Sequence, residues 1–159
     1  MTKLRILKRT GLAVLMSCFA MAALACSDDT VTLHTDSGKF LFNISVADEP
    51  AEQAQGLMFV KSMPRFTGML FVYDSPVHAT FWMKNTLIPL DMLFISPKGV
   101  VKNIRHEATP QSEATIDGGT GVLAVLEING GLARRLGISE GARIQHPAFG
   151  PDAAFPCNE

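Results

Sequence analysis

Few of the patterns that announce a known chemistry occur in this 159-residue sequence. There is one tryptophan, one tyrosine and three cysteines. The histidines His34, His78, His106 and His146 are scattered, with no HxH or HExxH spacing, so nothing supports a zinc site. No GxxxxGK(S/T) loop, no GxGxxG opening a helix and no GxSxG elbow is present, which removes the usual phosphate-loop and serine-hydrolase signatures. No internal repeat or low-complexity tract is found. Positive charge is also scarce. Four of the 14 basic residues lie within the first nine positions, and beyond residue 25 ten face 15 acidic ones, a charge of about −5. No basic cluster remains there, so nucleic acid is not an expected partner. The longest apolar run, residues 11–25, has 15 residues, short of the roughly 20 that a bilayer-spanning helix requires.

That run follows Lys3, Arg5, Lys8 and Arg9 and ends Ala23-Leu24-Ala25, small residues at the two positions a signal peptidase reads. Residues 1–25 are therefore predicted to be a cleaved secretory signal. Cleavage leaves Cys26 first, and Leu24-Ala25-Cys26 followed by Ser27 looks like a bacterial lipoprotein box with Ala23 in place of the usual Leu. Cys18 leaves with the signal, so Cys26 and Cys157 remain. In an oxidising compartment they are able to form a disulfide; a lipid on Cys26 excludes it, because both use the same sulfur. Both readings stand at this point: a periplasmic domain with a bridge, or an outer-membrane-anchored one facing the periplasm.

Beyond the signal, residues 26–30 read as a short polar lead, 31–147 as a single β-rich domain and 148–159 as a proline-containing tail. Strands are predicted at 31–36 and 39–47 around a Ser37-Gly38 turn, then at 69–73, 78–84, 90–96, 100–106, 121–128 and 142–146. In 39–47, Phe40, Phe42, Ile44 and Val46 alternate with Leu41, Asn43 and Ser45, so one face is apolar. One short helix runs from Asp48 to about Leu57 and a second from about Gly131 to Leu136, each stopped by glycine. Residues 107–120 read as irregular. The expected fold is mainly β, a compact antiparallel sandwich or small barrel with two short helices.

Four blocks carry a resemblance: GLMF (56–59), GMLFVY (68–73), FWMKNTLIPLDM (81–92) and LEINGGLARRLGI (126–138). Occurring in this order over about residues 30–147, they resemble the bacterial and archaeal family known only as domain of unknown function 192. The resemblance implies a compact, mainly β body and implies no particular reaction. Against that family His78 looks like a replacement of an Arg.

The third block sets Trp82, Lys84, Asn85 and Asp91 among apolar residues, a costly place for charge unless it is paired. If 78–84 and 90–96 form a hairpin, Lys84 faces Asp91, and Trp82, Lys84, Asp91 and Leu93 share one face. Glu127 sits among apolar neighbours in the strand at 121–128. Three functions are open. The first is a binding domain for a small ligand or an envelope-partner segment, with Trp82, Lys84, Asn85, Asp91 and Glu127 lining the pocket. The second is a hydrolase-like enzyme with Asp91 or Glu127 as acid or base and Lys84 steadying negative charge. The third is a structural or interaction module in which the same residues form a buried polar lock. Met58, Met63, Met69, Met83 and Met92 lack a tight ligand repeat and read as core filler rather than copper ligands. No cofactor or metal is expected. The expected partners are a small ligand or an envelope protein, with membrane contact only through a lipid on Cys26, and the chain is expected to be a monomer.

Overall fold

Strand alternation and turn chemistry set the architecture. The structure, a computed structural model, describes residues 26–157, so the predicted secretory segment lies outside the described residues. Strands β1 (Thr30–Thr35) and β2 (Gly38–Ala47) form the expected hairpin, with Thr35 opposite Gly38. Phe42 and Ile44 point into the core, and Phe40 and Val46 pack against the same cluster. Helix α1 (Pro50–Gln55) is capped by Glu49 rather than Asp48, because Glu49 and Glu52 form a reciprocal capping box. Gly56 ends it at a φ of 48°.

Strand β3 (Thr67–Phe81) is one element where two were expected, and irregular pairing between Val72 and Val77 marks the joint. It runs parallel to β2, an exception to the antiparallel expectation; the crossover that a parallel pair requires is made by α1 and the chain after it. β4 (Leu90–Ile95), β5 (Val101–Ala108), β6 (Ile116–Asn129), α2 (Leu132–Arg135) and β7 (Arg143–Gln145) complete the fold. The sheet order is β5-β4-β6-β3-β2-β1-β7. A bridge between Val100 and Arg143 brings β7 back towards the β5 edge, so the sheet curls almost into a barrel. The mainly β expectation and the two short helices match this architecture.

The predicted hairpin of 78–84 with 90–96 does not form. β6 lies between β3 and β4 and pairs with both. All six residues of β4 are buried, as befits a strand covered on both faces. The intervening residues 82–89 turn elsewhere: Met83 N–H donates to Ser112 O and Gln111 N–H to Thr86 O, while Asn85 takes a φ of 56°. β6 begins at Ile116, inside the stretch expected to be irregular, and there Gly118 leaves the space that the Phe94 ring occupies.

The sheet separates two cores. Leu70, Leu93, Leu126, Ile128, Leu132 and Phe42 belong to the one inside the curl. Phe71, Met83, Met92, Phe94 and Val125 belong to the other, on the opposite face. Cys26 and Cys157 are joined by a disulfide with Cα atoms 5.4 Å apart, an ordinary span. Closing a loop of that length stabilises by up to about 4–5 kcal/mol on the chain-entropy view. The tail is held in place as well: Phe155 stacks on His34 at 4.0 Å, and Ala154 N–H donates to Lys98 O.

Candidate functional site

Cross-strand partners share a face of a sheet, and this separates the two acids. Asp91 lies opposite Ile128, and Glu127 lies opposite Met92 on one side and Met69 on the other. Asp91 therefore points to the inner face and Glu127 to the outer one. The Lys84–Asp91 pairing expected from the hairpin register is not built, because the hairpin itself is absent, and Asp91 shares no pocket with Glu127, because the two face opposite sides of the sheet.

Asp91 is fully buried. Its Oδ1 accepts from Glu107 N–H at 2.7 Å and Gly131 N–H at 3.0 Å, and its Oδ2 from Ala133 N–H at 2.8 Å. The residue before helix α2, Gly131, has no side chain to cap it. Asp91 supplies from a neighbouring strand the acceptor that its first N–H groups lack. His106 Nδ1 stands 3.9 Å from Asp91 Oδ1, too far for a hydrogen bond, and has no other partner among the described residues.

Glu127 has the opposite setting. It is 4% exposed, and no described residue hydrogen-bonds its carboxyl group. Burial pushes its pKa up to about 8, so the neutral acid prevails at neutral pH. Tyr73, itself half-buried, has its phenol pKa raised by burial and then by the Glu127 charge. Glu127 forms the floor of a cavity of about 40 Å³ whose walls include Phe71, Phe81, Trp82, Lys84, Thr86 and Gln53. That holds one or two groups the size of a water molecule, not a whole ring.

Trp82 stands at the mouth, 49% exposed. It also borders a neighbouring hollow of about 270 Å³ with Thr80, Phe81 and Thr115. The Lys84 ammonium lies 5.2 Å from the Trp82 ring centroid and 3.9 Å from Glu113 Oε1, both at the surface. Asn85 is not among the walls. Its left-handed backbone places its carbonyl to accept from Phe59 N–H at 2.9 Å and its amide 3.8 Å from Met58 Sδ, so it ties two loops together. Of the five candidates, then, Trp82, Lys84 and Glu127 share a cavity, Asn85 supports its rim, and Asp91 lies on the other side of the sheet.

Sequence reasoning missed Gln53 and Thr86. Gln53 donates to Val72 O at 2.8 Å and Ala47 O at 3.3 Å from α1, and no local signal in the sequence connects that helix to Glu127. His78 meets Asp117 at 2.8 Å in solvent, where the Gly119 N–H and then the imidazole lower the Asp117 pKa. Met83 and Met92 are fully buried in the outer core.

Residues 31–146 match the model of the family described as uncharacterized ACR, domain of unknown function 192. Among the solved structures that match are two similar over most of the chain. A candidate transcription regulator from Sinorhizobium meliloti 1021 is 39% identical with a TM-score of 0.74, covering 79% of this chain and 98% of its own. A protein of unknown function from Novosphingobium aromaticivorans DSM 12444 is 41% identical with a TM-score of 0.71, covering 83% and 93%. None of the curated proteins matches the chain.

Proposed function

The chain belongs to the domain of unknown function 192 family, and from that premise we propose that it is a binding domain for a neutral ligand bearing hydroxyl or amide groups, seated on Trp82 with one group inserted against Glu127. The observation that carries this reading is the Glu127 carboxyl, on a residue only 4% exposed, which bonds to no described residue and opens into the cavity beside Trp82. A ligand hydroxyl or amide inserted there gains a hydrogen bond worth about 0.5–1.5 kcal/mol net. The narrow cavity takes that one group, and the adjoining hollow of about 270 Å³ beside Trp82 accommodates a ring. A neutral carboxylic acid donates as well as accepts, which suits a hydroxyl or an amide.

A two-carboxylate hydrolase draws no support from this geometry. Asp91 already accepts three backbone N–H groups and faces the other core. The polar lock has one specific observation in its favour, and it concerns Asp91 alone. Action on nucleic acid, suggested by the description of one structural relative, is not part of the proposal: the two helices have six and four residues, about two turns at most. Export to an oxidising compartment belongs to the proposal. It is supported by the basic and then apolar start of the sequence and by the Cys26–Cys157 bridge, which a reducing cytosol does not sustain. A sulfur in that bridge is not available to lipid, so the proposed form is periplasmic and unanchored.

Trp82 is the only tryptophan, so its emission reports the site directly. A disaccharide of N-acetylglucosamine, which carries hydroxyls, amides and a ring face, is expected to change that emission saturably. Glu127→Leu, close in volume and content in an apolar setting, is expected to weaken the response about tenfold or more. An unsaturable response, or equal affinity in the variant, contradicts the proposal.

A further inference from the structure

A second surface, separate from the walls around Glu127, has an unusual composition. Lys61, Arg65 and Arg135 surround an open hollow of about 420 Å³ floored by Met63, Ile88 and Pro89. The ion pairs found among the described residues involve other cations, so these three have no carboxylate within 4.0 Å there. Eight of the ten lysines and arginines beyond position 25 are outside the ion pairs among the described residues, and three of these eight line this one hollow. Large apolar side chains stand exposed on the same two loops: Phe59 at 61%, Leu87 at 40%, and Phe66 under the Arg65 guanidinium at 5.1 Å. The Phe59 N–H bond to Asn85 O fastens these loops to each other. Of the five large hydrophobics that are exposed among the described residues, only Leu41 and Trp82 lie outside this group.

We infer that Lys61, Arg65 and Arg135, with Phe59, Phe66 and Leu87, form a docking face for a bilayer surface rich in anionic phospholipid. Cations alone suit any polyanion. The interleaved apolar side chains decide between occupants, because they gain by entering the boundary between headgroups and acyl chains, whereas a nucleic-acid backbone offers them nothing. The ammonium and guanidinium groups meet lipid phosphate in the headgroup layer, each adding to the attraction and each sensitive to salt. The hollow gives one phosphate a place among three cations, and Phe59, Phe66 and Leu87, on the loops that supply Lys61, Arg65 and Ile88, are the side chains that enter the boundary. Such contact is peripheral and reversible, and it requires no lipid on Cys26.

The test uses residues 26–159, within which lie every described strand, both cores and the disulfide. Co-sedimentation with vesicles of phosphatidylcholine alone and of phosphatidylcholine mixed with phosphatidylglycerol is expected to show binding only to the mixture, lost in high salt. The triple variant Lys61→Gln, Arg65→Gln, Arg135→Gln changes exposed side chains only and is expected to weaken partition on the order of a hundredfold. Phe59→Ser with Leu87→Ser is expected to weaken it while the salt dependence persists. Several results overturn the inference: no binding to the anionic vesicles, equal binding to both vesicle types, or an unchanged triple variant. So do glycerol 3-phosphate or a short DNA duplex binding through these residues as tightly as vesicles, and a dimer of the protein that the triple variant dissolves.

Discussion

At the scale of single residues, the decisive contrast is between two carboxyl groups whose sequence settings look alike. Both Asp91 and Glu127 occur in apolar strands, yet one accepts three backbone N–H groups and the other accepts none. The sequence showed that both were out of place. It could not show which would be satisfied, because the donors come from Glu107, Gly131 and Ala133, distant in the chain. Lys84 was the natural partner for either acid and partners neither. It lies in solvent between Trp82 and Glu113. Lys84→Met is accordingly expected to shift stability by less than about 1 kcal/mol in thermal or denaturant melts. A loss of several kcal/mol would show that the ammonium holds the core after all.

At the scale of elements, alternation read the β1–β2 hairpin and the apolar character of β4, and capping and glycine signals placed both helices, though each is shorter than expected and α1 starts after Glu49. The pairing partner of β3 was not legible, since nearest-neighbour hairpins are the default and nothing local reports that β6 inserts. The all-buried pattern of β4 was a clue in retrospect: a strand next to β3 at one edge would have shown a polar side. Glycines also hid the start of β6. Gly118 and Gly119 read as a loop, whereas Gly118 stands beside the Phe94 ring, where a side chain would collide. Helix α2 depends on an acceptor outside itself. Asp91→Ala leaves three N–H groups without that acceptor and is expected to cost about 3 kcal/mol or more, with exchange protection at Gly131 and Ala133 lost first. Retention of wild-type stability would deny Asp91 this capping role.

At the scale of the whole molecule, the fold class was legible from composition and pattern, and the family from four blocks spread over the chain. The site was legible only in part. Trp82, Lys84 and Glu127 line one cavity, through a sheet order the sequence did not reveal, and α1 adds the wall carrying Gln53. Glu127 also ties the site to global stability. Its carboxyl pKa is raised from about 4.5 unfolded to about 8 folded, so its favourable contribution is full below about 4.5 and is lost as pH rises towards 8. The slope is up to about 1.4 kcal/mol per pH unit. Burial lowers the pKa of His34 and His146, which oppose this trend on the acid side, so the difference between wild type and Glu127→Leu isolates the carboxyl. The most direct measurement is an NMR titration of the Glu127 side-chain carboxyl carbon in the free protein. A midpoint near 8 is the expected result; a midpoint in the ordinary carboxylate range near 4.5 would contradict the buried, unpaired acid on which the proposed binding site rests.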